Sequence, residues 1–365
     1  MTATLEPTAP RPGGGGDLHT KLSSNQLPRL LPWGVFVAAL AIVLATVIAN
    51  ALGSDLPTTR IVLLVWAVQF LVPLLSAFVE GRRKAVDRLV TTFVVSAFTL
   101  ALLPLGSIIY TVLDNGLPVL SGEFFTYSMR NVVGEGGGIY HAIVGTLLIT
   151  GAAAVISVPI GLFTAIYVVE YGEGTRMARW IRFLVDVMTG IPSIVAGLFA
   201  YALFVLFFGE GVRMGIGGSV ALSVLMIPVV VRSCEEMLKL VPNELREASY
   251  ALGVPKWRTI AKVVVPTALA GIVTGITLAI ARVIGETAPL LIIAGATDSV
   301  NFNLFGDRMA TLPVFAYTSI RNPGVPPEFS LDRAWGAALV LLIIVMLLNL
   351  VARLVSFLFS PKGEK

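Results

Sequence analysis

Arg282 and Glu286 stand four residues apart in the segment ARVIGETAPLL, residues 281–291, within a run that is otherwise apolar. A guanidinium offers a rigid planar fork of donors that suits a tetrahedral oxyanion bidentately, and a neighbouring carboxylate competes for that same fork. On a continuous helix the spacing puts both groups on one face. Thr287 follows at once, and Thr189 and Ser193 place hydroxyls on either side of Gly190 and Pro192 in the segment TGIPS. Two readings are open: an ion pair that neutralises itself, or a polar lining that holds an anion weakly enough to let it go.

Other chemistries find little support. The single cysteine, Cys234, cannot make an intrachain disulfide, and two histidines cannot build a histidine metal site. There is no HExxH, no aspartate pair within an apolar run, and no serine and histidine placed to cooperate. No GxxxxGK[ST] phosphate loop is present, so ATP hydrolysis is not expected of this chain. His141 reads as an interfacial residue, and Asp186 as the surface partner of Arg182 four residues before it.

The solvent around these residues follows from composition. The chain is 56% hydrophobic and 13% charged, with mean hydropathy +0.87, outside the balance of a soluble domain. Apolar stretches of about 20 residues match the length of a helix crossing a hydrocarbon core, whereas barrel strands would be half as long and alternating. The chain is therefore expected to be an all-α membrane protein. Net charge is only +4, and no basic stripe interleaved with aromatics suggests nucleic acid.

Residues 1–29 are polar, with Pro7, Pro10, Pro12 and the run Gly13–Gly16, and are expected to form a disordered tail. Spans are predicted at about 33–52, 61–79, 89–113, 142–169, 183–208, 218–232, 266–294 and 334–358. The first ends in Ala49, Asn50 and Ala51, like a signal-peptidase site, but it exceeds a signal-peptide core and is read as uncleaved. Lysine and arginine concentrate in alternate loops: Arg82, Arg83, Lys84 and Arg88; Arg176, Arg179 and Arg182; Lys239, Arg246, Lys256, Arg258 and Lys262. The loops between these are poorer in positive charge, which predicts that both termini are cytoplasmic. Residues 30–88 read as an extra two-helix hairpin ahead of a six-helix core in 89–360, with 361–365 a short tail.

Pro192, preceded by Gly190, predicts a kinked or broken helix in 183–208, either a plain packing kink or part of a substrate path. If 266–294 is one helix it is about 43 Å long, with Arg282 near its middle, where a charge costs about 2.5–3.5 kcal/mol and faces a bundle interior or a wet path. The stretch 233–265 is too long for a plain connection. There Pro242 and Asn243 start a helix that carries Leu245, Ala248 and Leu252, Gly253 closes it, and a second helix begins near Lys256 and Trp257. This helix, glycine turn and helix would lie either on the membrane surface or in a groove of a partner protein.

EASYALG, followed after nine residues by VVVP, resembles the EAA loop of ATP-binding-cassette importer permeases, with Glu247, Ala248, Ser249, Leu252, Gly253 and Pro266 at the matching positions. Ser249 stands where the family often has alanine. GGIYHAIVGTL (137–147), GIPSIVAGLF (190–199), ALGVPKWRTIAKVVVPTALAGIVTG (251–275) and ARVIGETAPLL are similar to the PstA family of phosphate permeases. The resemblance spans most of the six-helix core and leaves out the tail and the first two helices. It implies the fold of a type I importer permease and a non-catalytic role as half of a phosphate path, with Arg282, Glu286, Thr287, Ser193 and Thr189 lining it. It also implies a PstC-like second permease, a PstB-like ATPase dimer on the EAA loops that binds ATP and Mg, and an external PstS-like phosphate-binding protein, all set in membrane lipid. A permease for molybdate or sulfate, or an ATP-independent secondary transporter, is the alternative.

Overall fold

A computed structural model of the chain describes residues 31–51, 54 and 56–359; the expected tails, 1–29 and 361–365, lie outside them. Among the described residues every regular element is helical, and five helices are long and apolar enough to cross a membrane, six if one bent pair is counted. The protein is a multi-pass membrane protein. The chain divides between Ile109 and Tyr110 into two compact units.

The first unit holds α1 (Leu31–Ala51), α2 (Thr58–Gln69), α3 (Leu71–Val79) and most of α4 (Arg82–Gly116). Its internal ties are aromatic and polar. Phe70 meets Trp66 and Phe93 edge-on at 5.5 and 5.0 Å, and Ser96 Oγ donates to Gln69 Oε1 at 3.0 Å in a buried site. Gly81, at φ +90, reverses the chain within one residue. Arg82, Arg83, Lys84 and Arg88 therefore open α4 instead of forming a loop, and Arg88 pairs with Glu80 at 2.8 Å.

The second unit contains α5 (Gly122–Thr126), α6 (Tyr140–Ile166, prolonged by a π turn at Tyr167–Tyr171), α7 (Arg176–Thr189), α8 (Ser193–Phe208) and α9 (Gly215–Lys239). Then come α10 (Asn243–Ala251), α11 (Lys256–Thr259), a π turn at Ile260–Val264, α12 (Val265–Val283), α13 (Ala288–Ile293), α14 (Leu312–Arg321) and α15 (Glu328–Phe359). Helix α9 is the hub because small residues let its neighbours close on it. Ser219 Oγ reaches Ile149 O of α6 at 3.0 Å. A Cβ on Gly161 of α6 would lie 2.6 Å from Val230, and one on Gly275 of α12 would lie 2.5 Å from Ser233. Each of these helices shows α9 an apolar or small face, which is how helices associate when lipid removes the hydrophobic drive between them.

Several expectations are corrected. The 183–208 run is two helices, α7 and α8, bent by 107° at Gly190–Pro192. The 266–294 run also breaks, at residues 284–287, so Arg282 sits in the last turn of α12 and not in the middle of a long helix. Gly285 lies within that break, and Pro289, which has no N–H to give, follows it in the first turn of α13. Helix α9 continues to Lys239 and the next span begins at Lys256, so the connection between spans is 240–255, which holds α10, and is shorter than 233–265. The long segment 295–333 contains α14, which docks by Leu312 N–H donating to Thr146 Oγ1 at 2.8 Å. His141, in the first turn of α6, is packed within the protein, 1% exposed, and meets Phe315 edge-on at 5.3 Å.

Candidate functional site

The two interruptions face one cavity of about 190 Å³. Thr189 and Ser193 reach it from either side of the α7–α8 break, Arg282 from the end of α12, and Glu286 from within the α12–α13 break. Leu225 and Val229 of α9 form an apolar wall. Thr287 is not on the wall; it is the N-cap residue of α13, and its carbonyl accepts from Leu291 N–H at 2.9 Å.

Depth can be read from α9. Leu225 is ten residues from the Gly215 end of that helix and Val229 ten residues from the Lys239 end, about 15 Å along its axis in each case. The antiparallel contact that sets Gly275 on Ser233 and Gly271 on Met237 brings Arg282 level with Met226. The guanidinium thus stands level with the middle of α9 although it ends its own helix. A cation there also meets the negative end of the α12 dipole.

Two packing contacts fix the other wall. A Cβ on Gly197 of α8 would lie 2.6 Å from Pro289 Cα, so α8 and α13 touch backbone to backbone. A Cβ on Gly218 of α9 would lie 3.0 Å from Leu290 Cδ2. Helix α13 is therefore wedged between α8 and α9, which sets the place of Glu286 just before it. Glu286 N–H bonds to Val283 O at 3.1 Å, and that tight turn takes the carboxylate off the α12 face. The self-neutralising ion pair, one of the two readings open from the sequence, is consequently not formed. Among the described residues neither Arg282 nor Glu286 has a side-chain hydrogen bond or ion pair, and both address the cavity with open valences. Ser193 begins α8, so the unbonded first amides of that helix and its positive dipole end lie at the cavity rim. The arrangement is one guanidinium, two hydroxyls and a helix start against one carboxylate, in an otherwise apolar cleft.

The second group of singled-out residues lies at the Lys239 end of α9. Glu247 and Ala248 are exposed on α10, and Leu252 just beyond it is 83% exposed. Gly253 has φ +75; its N–H bonds to Tyr250 O at 2.9 Å and Val254 N–H to Ser249 O at 3.2 Å. That double closure ends the helix as a Schellman motif. Ser249 differs from its neighbours: it is buried, with its hydroxyl 2.8 Å from that of Thr259, and so ties α10 to α11. Helix α11 runs on through the π turn into α12, so the second arm of the hairpin is the foot of a span, and Pro266 sits in the first turn of α12.

The anchors beneath this hairpin were not singled out from sequence. Arg246 donates to Glu170 Oε1 from Nε at 3.1 Å and Nη2 at 2.9 Å, and to the carbonyls of Leu238 and Val241 at 2.9 and 2.6 Å. Glu235 accepts from Arg182 Nε at 2.8 Å and Lys239 Nζ at 2.7 Å. Arg182 is thereby taken from Asp186, which faces Arg232 at 4.0 Å instead. The signal was a glutamate in or beside each apolar run, Glu170 and Glu235, whose partners are distant in sequence.

Residues 157–365 match the family model described as "Binding-protein-dependent transport system inner membrane component". The chain is 48% identical over 284 residues to the "Phosphate transport system permease protein PstA 1" of Mycobacterium tuberculosis (strain CDC 1551 / Oshkosh), covering 77% of this chain and 92% of that one. It is 39% identical over 285 residues to the PstA protein of Pasteurella multocida (strain Pm70), covering 78% and 97%. Among solved structures, an inward-facing MetNI methionine ABC transporter chain is similar with TM-score 0.48 and 19% identity, over 66% of this chain and 100% of that one.

Proposed function

The chain belongs to the binding-protein-dependent transport system inner membrane component family and, within it, to the PstA permeases; from that premise we propose that it forms half of the path of an ATP-driven inorganic phosphate importer. The observation that carries the reading is the cavity at mid-depth of α9, where Arg282, Glu286, Thr189 and Ser193 meet. The guanidinium and the Ser193 hydroxyl receive the oxyanion, and the Thr189 hydroxyl, which donates to Asp186 O at 2.7 Å, joins them by turning from that carbonyl. Glu286, on the same wall but unpaired with Arg282, repels it and keeps it from being trapped. Transport needs release as much as capture, and one arginine opposed by one carboxylate meets both needs.

The α10–α11 hairpin is the dock for a PstB-like ATPase dimer, with Glu247, Ala248 and Leu252 offered to it and Gly253 setting the turn. Lysine and arginine clustering at that end supports a cytoplasmic placement for the hairpin and for both termini, in the inner membrane. A PstC-like second permease completes the path, and a PstS-like protein delivers phosphate from outside. ATP and Mg are bound by the ATPase, and this chain is non-catalytic. Helices α1–α3 serve as an added membrane hairpin. ATP-driven closure of the ATPase pair moves α10, and Arg246 and Glu235 pass that movement to the ends of α6, α7 and α9, on which the cavity stands.

The test is reconstitution of the assembled transporter in liposomes, followed by ATP hydrolysis and phosphate uptake with and without the binding protein. Phosphate should stimulate hydrolysis, and Arg282→Gln should abolish uptake while leaving the complex assembled. Near-normal uptake by that variant sinks the assignment of Arg282, and stimulation by sulfate or molybdate in place of phosphate moves the substrate.

A further inference from the structure

Arg213 precedes α9 and Arg308 lies in the segment before α14, yet their stems meet over one residue. A Cβ built on Gly295 would lie 3.1 Å from Arg213 Cδ and 3.4 Å from Arg308 Cδ, so the two Cδ atoms are within about 6.5 Å of each other. Gly295 itself is at φ +77, a conformation that suits glycine. The convergence is built into the backbone. Met214 N–H donates to Ile293 O at 3.0 Å, Ile216 N–H to Leu304 O at 2.8 Å, and Met309 N–H to Ala294 O at 3.1 Å. Three segments are thus laced together with an arginine on each outer one.

Both arginines are exposed, and among the described residues neither has an ion pair or a side-chain hydrogen bond. The two stems start close together, so both guanidiniums can reach one anion placed between them, which each attracts. They stand at the Gly215 end of α9, opposite the α10 hairpin, about 15 Å along the helix from the level of Leu225. Helix α13 spans the interval: Glu286, just before it, faces the cavity, and Gly295, just after it, carries the pair. In the orientation proposed above this is the outer end.

We propose that Arg213 and Arg308 form a second oxyanion site, which holds inorganic phosphate transiently at the outer mouth before it passes along α13 to the Arg282 cavity. This rests on the phosphate-permease reading. Two planar forks suit a tetrahedral dianion, and their exposure makes the hold brief. The site raises the local phosphate concentration at the mouth and depends on ionic strength.

The experiment uses the assembled wild-type transporter in liposomes. Arginines are labelled with a dicarbonyl reagent and mapped by mass spectrometry, in phosphate and in chloride at equal ionic strength, without binding protein. Exposed Arg130 and Arg321 serve as internal references. Phosphate should slow labelling of Arg213 and Arg308 roughly threefold, the effect of a free concentration about twice the dissociation constant, and leave the references unchanged. Equal labelling in the two salts overturns the site. So does protection that needs the binding protein but no phosphate, which would make the pair a docking contact for carboxylates. Uptake is then measured in the same vesicles after binding protein and ATP are supplied: uptake of phosphate with an unprotected pair defeats this inference alone, whereas absence of uptake defeats the permease reading and leaves protection to decide the site.

Discussion

Removing Arg246 should free α10 from the bundle, and the size of the effect follows from its partners. Its side chain is 13% exposed and that of Glu170 5%. Arg246→Met leaves a buried carboxylate without its cation and strips the Leu238 and Val241 carbonyls of a donor. Breaking a buried pair from one side costs about 3–5 kcal/mol; water reaching the two carbonyls at the exposed edge favours the lower figure, about 3 kcal/mol. That is roughly a hundredfold in the local opening equilibrium. Glu170→Gln keeps an acceptor and leaves Arg246 its carbonyls, so it exchanges a charge-assisted bond for a neutral one, about 1–1.5 kcal/mol or roughly tenfold. The double change Arg246→Met with Glu170→Leu removes both charges and should recover much of the loss. Amide hydrogen exchange across residues 247–252, on the full chain in lipid nanodiscs, reads all three. Equal acceleration by Arg246→Met and Glu170→Gln, or unchanged exchange in Arg246→Met, would refute the claim that this pair holds the hairpin.

Gly253→Ala meets no atom within 4 Å, so its cost is backbone strain alone at φ +75, about 1–2 kcal/mol; co-purification with the ATPase should weaken while the transmembrane fold keeps its melting temperature. Gly197→Ala puts a methyl 2.6 Å from Pro289 Cα and forces α8 from α13; overpacking of about 1–3 kcal/mol should appear as a lowered melting temperature, and uptake should fall because Glu286 moves with α13. Thr146→Val orphans the buried Leu312 N–H and should cost about 1–3 kcal/mol in thermal unfolding, whereas Thr146→Ser keeps the acceptor and should cost less.

What was legible in the sequence was local. Gly190 and Pro192 announce the α7–α8 break because one removes a side chain and the other an N–H, and Gly253 announces its turn because only glycine takes φ +75 freely. The break at 284–287 carries the same kind of signal, Gly285 and Pro289, yet hydropathy runs on through Ala288–Ile293 and the apolar pattern reads as one span. The i, i+4 spacing of Arg282 and Glu286 described a helix that ends at Val283, so the two share a cavity without sharing a face. Partner choice was not legible where the partner is remote. Arg182 prefers Glu235 to nearby Asp186 because the Glu235 carboxylate is buried and needs compensation, while Asp186 is open to solvent. The helix α14 lay hidden in 295–333 because its ten residues bury only their first turn deeply and carry no span-length run.

The two breaks explain each other. Interrupted backbone at membrane depth leaves amides and carbonyls that lipid cannot satisfy, so it persists only inside protein or along a polar cavity. Here α7–α8 and α12–α13 break at one level and turn their loose ends to the same 190 Å³ space, with Thr189 and Ser193 on one and Arg282 and Glu286 on the other. Either break alone would be a packing defect next to lipid. Together, with α13 clamped by Gly197 and Gly218, they make a polar spot whose charge is fixed by rigid elements and not by a salt bridge. A closed Arg282–Glu286 pair would have spent the guanidinium's donors on its own chain. By ending α12 at Val283, the GET turn keeps those donors free, and this is the geometric basis of the oxyanion site proposed above.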